Sequence, residues 1–307
     1  MGDQTTRTRA PAAKPAPGPL EWGALCVLAL VWGTAFWFIK VGVETAPPAG
    51  LAFARLSLGA AALAVFALAS GKRFPALTDR RWLWFLALGA FGNALPFWLI
   101  AVGQQTVPSG LAGILVGAMP LMTIAAAHMV IPAERLTPAK LAGFLLGFVG
   151  VVVLIGPSAL AGLGGPAFLS QLAILAAAAS YATNAILAQL APETPPQVSG
   201  AGMLMGAALL SAPLGVYELA TAAEAPSLAS AGAIVWLGLF PTGLAALVYM
   251  NLVRRAGAGF IALTNYIVPV VAALTGAIAG ERLGPEAFAG LAIILLALAI
   301  ARRRRRP

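Results

Sequence analysis

Leu88-Gly89-Ala90-Phe91-Gly92-Asn93-Ala94-Leu95 and, 149 residues later, Leu237-Gly238-Leu239-Phe240-Pro241-Thr242-Gly243-Leu244 share the pattern Leu-Gly-x-Phe-x-x-x-Leu. Moving outward from this pair, Gly110 and Pro120 recur as Gly259 and Pro269 at the same offset. Glu44-Thr45 before Pro47-Pro48 recurs as Glu193-Thr194 before Pro195-Pro196. After a two-residue shortening, Glu134-Arg135-Leu136-x-Pro138 recurs as Glu281-Arg282-Leu283-x-Pro285, and Ala142-Gly143 as Ala289-Gly290. Single matches mean little in an Ala/Leu-rich chain, but several blocks in one order at nearly one offset define a repeat. The two copies are residues 22–158 and 168–301, joined by a Gly-rich stretch around Leu163-Gly164-Gly165.

Each copy is written for lipid. The 307 residues are 60% hydrophobic and 9% charged, against roughly 25% charged in an average soluble domain. So few charges cannot clothe a water-facing surface, which excludes a cytosolic enzyme or a nucleic-acid-binding domain. A spanning helix needs about 20 apolar residues. Ten segments qualify: 22–43, 50–70, 82–103, 108–130, 140–158, 168–190, 198–219, 231–253, 258–279 and 285–301. Backbone amides in hydrocarbon must be bonded within their own segment, and the dyad alternation of a barrel is absent. The expectation is an all-α polytopic membrane protein of ten transmembrane helices in two five-helix repeats. Residues 1–21, rich in Pro, Ala and Thr, read as a disordered arm. The apolar run after them is too long for a signal-peptide core and counts as the first span.

Charge sets the orientation. With the N-terminus inside, the cytoplasmic segments hold Arg7, Arg9 and Lys14; Lys72, Arg73, Arg80 and Arg81; Arg135 and Lys140; Arg254 and Arg255; and Arg302 to Arg306. That is 16 of the 19 Lys and Arg, so the positive-inside rule puts both termini in the cytoplasm. The net charge of +9 is therefore an orientation signal, and the tail 302–307 an anchor on anionic lipid rather than a nucleic-acid patch. Five helices per copy is an odd number, so the second copy enters from the opposite side. Inverted repeats of this kind are a hallmark of secondary transporters, whose substrate site lies near mid-membrane between the halves.

The site residues are sought where polar chemistry sits at depth. Pro96, Pro120, Pro241 and Pro269 fall mid-span; each frees a carbonyl, through an ordinary packed kink or at a cavity or hinge. Asn93 and Thr242 are repeat mates, each about 16 Å into its helix, and read as an interhelical hydrogen bond or a substrate contact. Trp32, Phe36 and Lys40 share a helical face, and the mate of Trp32 is Tyr181, followed by Asn184. Such a face either holds an organic carboxylate or is a packing stripe with Lys40 snorkelling outward. Arg55, near the periplasmic end of the second span, either meets a substrate carboxylate, caps broken-helix carbonyls or snorkels. Tyr249, Asn265 and Tyr266 add further polar atoms.

Several chemistries are excluded. The single Cys26 and single His128 make neither a disulfide nor a Cys/His zinc site. No Walker-type phosphate loop occurs, and no cofactor or metal is expected. All ten carboxylates fall in tails, loops or span ends, whereas proton-coupled cation antiport needs an embedded acid. Exchange or uniport is therefore the expected mechanism, and a membrane-embedded enzyme a distant alternative. Gly113-x-x-x-Gly117 and Gly143-x-x-x-Gly147 predict close helix contacts, within one chain or between chains, so the oligomeric state stays open.

Two five-helix copies, each closing with Pro, then Glu-Arg-Leu, then a Gly-containing last helix, resemble the EamA family, the ten-helix branch of the drug/metabolite transporter superfamily. Trp32-Gly33-Thr34-Ala35-Phe36, Arg55 and the run from Pro269 through Gly280-Glu281-Arg282-Leu283 also fit its pattern. The resemblance covers roughly residues 22–301 and departs at Arg55, whose place in the second copy is taken by Leu204 or Gly202. It implies an inner-membrane carrier exporting metabolites, with amino-acid exporters prominent. It also implies a central cavity lined by helices one, three, four, six, eight and nine that opens alternately to each side. The expected cargo is an amino acid, aromatic and apolar ones included; drugs or organic cations, purines and sugars are the alternatives.

Overall fold

The computed structural model describes residues 17–130, 137–161 and 165–301. Most of the N-terminal arm, the Glu134-Arg135-Leu136 turn, Leu163-Gly164 and the Arg302–Arg306 run lie outside the described residues. Everything regular among the described residues is helical. The first copy contributes α1 (Pro19–Gly42), α2 (Pro48–Ala69), α3 (Arg81–Gly89), a π-turn (Ala90–Ala94), α4 (Leu95–Gln104), α5 (Ser109–Val116), α6 (Met119–Val130) and α7 (Pro138–Ala161). The second contributes α8 (Pro166–Leu190), α9 (Pro196–Thr221), α10 (Leu228–Leu237), a π-turn (Gly238–Leu244), α11 (Ala245–Ala256), α12 (Ala258–Ile261), α13 (Thr264–Ile278) and α14 (Pro285–Ala301).

Seven helical stretches are long and apolar enough to cross a membrane: Pro19–Gly42, Pro48–Ala69, Arg81–Gln104, Ser109–Val130, Pro166–Leu190, Pro196–Thr221 and Leu228–Ala256. Pro138–Leu154, Thr264–Ile278 and Pro285–Ala301 are shorter apolar helices. Shortening has local causes. Gly156 takes φ +79° inside α7, a left-handed value that interrupts the helix and that glycine adopts without a Cβ penalty. A turn at Ala262-Leu263 separates α12 from α13 and leaves the latter short.

The packing is the repeat made visible. Helices α7 and α14 pair, as do α2 and α9, each a helix and its own repeat mate, and α5 pairs with α13, halves of the mated fourth and ninth apolar stretches. Other large interfaces exchange under the same swap, with α4 on α8 answering α11 on α1, α6 on α8 answering α13 on α1, and α9 on the first π-turn answering α2 on the second. Mates run antiparallel: the start of α2 meets the end of α9 through Gly50 and Leu219, and its later part meets the start of α9 through Leu63 and Gly200. The second copy is thus inverted relative to the first. Most contact between helices crosses from one copy to the other, so neither copy has a core of its own. Both Gly-x-x-x-Gly motifs are consumed within the chain. Gly113 and Gly117 face Ala272 and Pro269, while Gly143 and Gly147 face Ala301 and Leu121. Large side chains such as Leu145, Phe148, Leu209 and Ile278 stay exposed, as lipid-facing positions do.

Candidate functional site

The two Leu-Gly-x-Phe stretches that reveal the repeat become the two π-turns, and the polar residues at depth gather around them. A π-turn arises where the i−4 ladder cannot be kept, and proline lacks the amide that the ladder needs. Pro241 lies inside the second π-turn, so the Leu237 carbonyl four residues back cannot receive an amide in α-helical register. The Thr242 hydroxyl donates to it at 2.8 Å. Pro96 follows the first π-turn, where its missing amide would have met Phe91 in π register. There Ser180 donates its hydroxyl to the Phe91 carbonyl at 2.8 Å. Both breaks are repaired by a hydroxyl, once from the same helix and once from a neighbour.

Arg55 reaches into this region and does not snorkel; only 4% of it is exposed. Its Nε and Nη2 donate to Thr242 Oγ1 at 3.2 and 3.1 Å. Its guanidinium lies 3.7 Å over the Phe97 ring, a cation–π contact that offsets part of the cost of burying charge. Close approach is possible because Gly59 sits against the Thr242 methyl. Tyr181 is within electrostatic range of Arg55. Trp32 donates its indole N–H to the Pro241 carbonyl at 3.2 Å and meets Tyr249 at 6.0 Å between ring centroids. On the mirrored side Asn93 is buried in the first π-turn, and Asn184 packs so closely on Gly92 that a Cβ there would lie 2.8 Å from its amide. Asn93 Nδ2 and Asn184 Oδ1 have no hydrogen-bond partner.

The other expected residues go elsewhere. Phe36 packs against Gly113, and its carbonyl accepts from Gln104 Nε2 at 2.8 Å. Lys40 donates to the Gln104 and Gln105 carbonyls at 2.8 and 3.3 Å, capping the end of α4. Asn265 and Tyr266 line a cavity of about 660 Å³ with Met119, Pro120, Thr123 and Lys140. This cavity lies at the end of the bundle that carries the chain termini. Pro269 is packed against Gly117 instead. A second cavity, about 330 Å³, lies at the opposite end between Pro108, Leu111, Gln171, Arg282 and Glu286. The two are repeat counterparts: Thr137, Ala139 and Lys140 of one correspond, 147 residues on, to Gly284, Glu286 and Ala287 of the other.

Two carboxylates emerge that sequence reading leaves as loop charges. Glu281 accepts from the Ser109 and Gly110 amides at 2.7 and 2.9 Å. Glu218 accepts from the Ala49 and Gly50 amides at 2.7 and 3.2 Å. Each carboxylate of the second copy therefore caps a helix start of the first, where free N–H groups and the dipole favour negative charge. The signal for Glu281 was its place in a repeated motif; Glu218 has none. Phe97 and Ser180 were also missed, since neither is polar enough or placed clearly enough to stand out alone.

This arrangement of two antiparallel copies wrapped around paired helix breaks has known relatives. The sequence profile of the EamA-like transporter family matches residues 22–156 and again 168–303. The chain belongs to the EamA-like transporter family. It is 29% identical over 285 residues to the uncharacterized inner membrane transporter YedA of Escherichia coli K12, covering 91% of this chain and 89% of that one. A probable terminal-alkyne amino-acid exporter of Streptantibioticus cattleyicolor is 30% identical over 290 residues, with 92% and 93% covered. The aromatic amino acid exporter YddG of Ancylobacter novellus is 28% identical over 260 residues, with 82% and 85% covered. A protein of known crystal structure, 24% identical, shares the fold at a TM-score of 0.64 over 92% of this chain and 97% of that chain. As a member of this family the chain is a membrane transporter.

Proposed function

We propose that this EamA-like transporter is a secondary carrier of the inner membrane that exports small metabolites, amino acids foremost, by alternating access. The observation that carries the reading is the pair of counterpart cavities, about 660 Å³ at the terminal end and about 330 Å³ at the other. Repeats of inverted orientation that adopt unequal conformations give one side open and one side closed, and exchange of the two conformations reverses the access. On this reading the ten apolar stretches are ten spans, the repeats are 22–158 and 168–301, and residues 1–21 and 302–307 are cytoplasmic. The larger cavity then faces the cytoplasm, as an exporter waiting for cargo would.

The cargo class draws support from two relatives described as amino-acid exporters and from the side chains gathered around the two π-turns, which line neither of these cavities. Trp32, Tyr181, Tyr249, Asn93, Asn184, Thr242 and Arg55 offer aromatic faces, amides and one fixed cation. Such a set suits a zwitterion whose side chain is read loosely. The alternation would turn on the helix breaks at Pro96, Pro120, Pro241 and Pro269. Purified protein in liposomes, tested with labelled phenylalanine, methionine and threonine, is expected to give saturable uptake that accelerates when the same amino acid is loaded on the far side. Absence of saturable flux for all three overturns the amino-acid reading; flux without such acceleration overturns the carrier reading.

A further inference from the structure

Arg55 has five N–H donors; Nε and Nη2 donate to the neutral hydroxyl of Thr242. Among the described residues no carboxylate pairs with it; the ion pairs there are Arg81 with Asp79 and Arg255 with Glu21. A cation that is 4% exposed and has no anion is costly, and the contact with Phe97 returns only part of that cost. One helical turn before Phe97 stands Asn93, 7% exposed, with an unpaired amide NH2. Beside it, across Gly92, stands the unpaired amide carbonyl of Asn184. Tyr181, one turn before Asn184 on α8, is the group within electrostatic range of Arg55. Buried polar groups of native proteins are normally paired. Here a cation, a donor and an acceptor lack partners on helices that meet at the π-turns: Arg55 through Phe97, one turn from Asn93, and Asn184 through Gly92.

We propose that these groups form the headgroup subsite for an α-amino acid: Arg55, helped by Asn93 Nδ2, takes the carboxylate, and Asn184 Oδ1 takes the ammonium. This rests on the carrier reading above and adds to it the division of the substrate between residues. The carboxylate supplies the anion that the protein withholds from Arg55, and one molecule satisfies all three groups. The side chain is left to the aromatic faces of Trp32, Phe97 and Tyr249, which accept many shapes. The subsite is one-sided because Leu204 or Gly202 occupies the repeat position of Arg55, so the mirrored amide Asn93 has no guanidinium of its own.

The test compares three probes in liposomes: phenylalanine, its amide (no carboxylate) and 3-phenylpropionate (no ammonium). The wild type is expected to move phenylalanine at least tenfold better than either analogue. Arg55→Gln is expected to lose at least tenfold for phenylalanine and phenylpropionate while leaving the amide unchanged. Asn184→Ala is expected to reduce phenylalanine and the amide but not phenylpropionate. Because Arg55 is buried, Asn93→Asp serves as the second variant. It places an internal anion beside Arg55, so it is expected to raise Tm and still lose carboxylate transport. A structural Arg55 would instead lower Tm in Arg55→Gln, with all three probes affected alike, and that result overturns the proposal. If phenylalanine moves in the wild type but Arg55→Gln moves it equally well, the subsite falls and the amino-acid carrier stands. If the wild type moves none of the probes, both fall.

Discussion

The two ends of the bundle are built from the same repeated sequence and are held in different ways. At the end away from the termini, four polar ties cross between the copies or lock a break. Glu281 sits on the start of α5 and Glu218 on the start of α2. Lys40 caps the end of α4, and Thr45 and the Val41 carbonyl bond the Ser230 hydroxyl. At the terminal end Glu21 pairs with Arg255 across the copies, at 3.6 Å with the Arg255 side chain 55% exposed, and Trp22 meets the Phe260 ring edge-on. The larger cavity lies at this terminal end, and the carboxylates seated on helix starts lie at the other, where they hold the copies together.

The largest effect is expected from Glu281→Ala. It removes two charge-assisted bonds, about 2–3 kcal/mol together in this partly wet setting, which is roughly a 30- to 150-fold shift toward the state open at that end. Cysteine placed at Leu111, in the smaller cavity, in a Cys26→Ser background should then react with a membrane-impermeant maleimide at least tenfold faster. An unchanged rate would mean that Glu281 is not the clamp. Glu218→Ala should act in the same direction by a smaller factor, because one oxygen makes both bonds and one of them is long at 3.2 Å. A larger effect than that of Glu281→Ala would reverse the ranking.

Lys40→Met tests whether the α4 cap belongs to closure or to substrate binding. It should cost about 1 kcal/mol of closed-end stability, seen as a fewfold rise in Leu111→Cys labelling, with the KM for phenylalanine unchanged. A KM increase with no change in labelling would return Lys40 to the binding site. The smallest effect is expected from Glu21→Ala. Exposed ion pairs contribute little, so labelling at either end should stay within roughly twofold. A large shift would show that this pair clamps the terminal end.

Much of this was legible in the chain. The repeat, the apolar spans, the depth of Asn93 and Thr242 and the burden on the mid-span prolines follow from spacing and composition. What those prolines become did not. A π-turn and a kink leave the same mark in sequence, and the hydroxyls that repair them come from Thr242 nearby and from Ser180 in the other copy. Helical spacing puts Trp32, Phe36 and Lys40 on one stripe of α1, but that stripe is long. It passes from the π-turn at Trp32 to Gly113 at Phe36 and the end of α4 at Lys40. Glu281 and Ser109 are 172 residues apart, so a carboxylate that caps a distant helix looks like any loop charge. Arg55 left snorkelling and inward burial equally open, since only packing against Phe97 and Thr242 decides between them.

Reciprocal access is the most direct test of the carrier. Two single-cysteine proteins, Thr123→Cys in the larger cavity and Leu111→Cys in the smaller, would be labelled from each side of sealed vesicles, with and without Glu281→Ala. The account predicts fast labelling at Thr123→Cys and slow labelling at Leu111→Cys in the parent, and the opposite pattern when Glu281 is removed. Labelling that rises at both positions together, or that leaves Thr123→Cys unchanged while Leu111→Cys opens, would contradict alternating access and describe a pore instead.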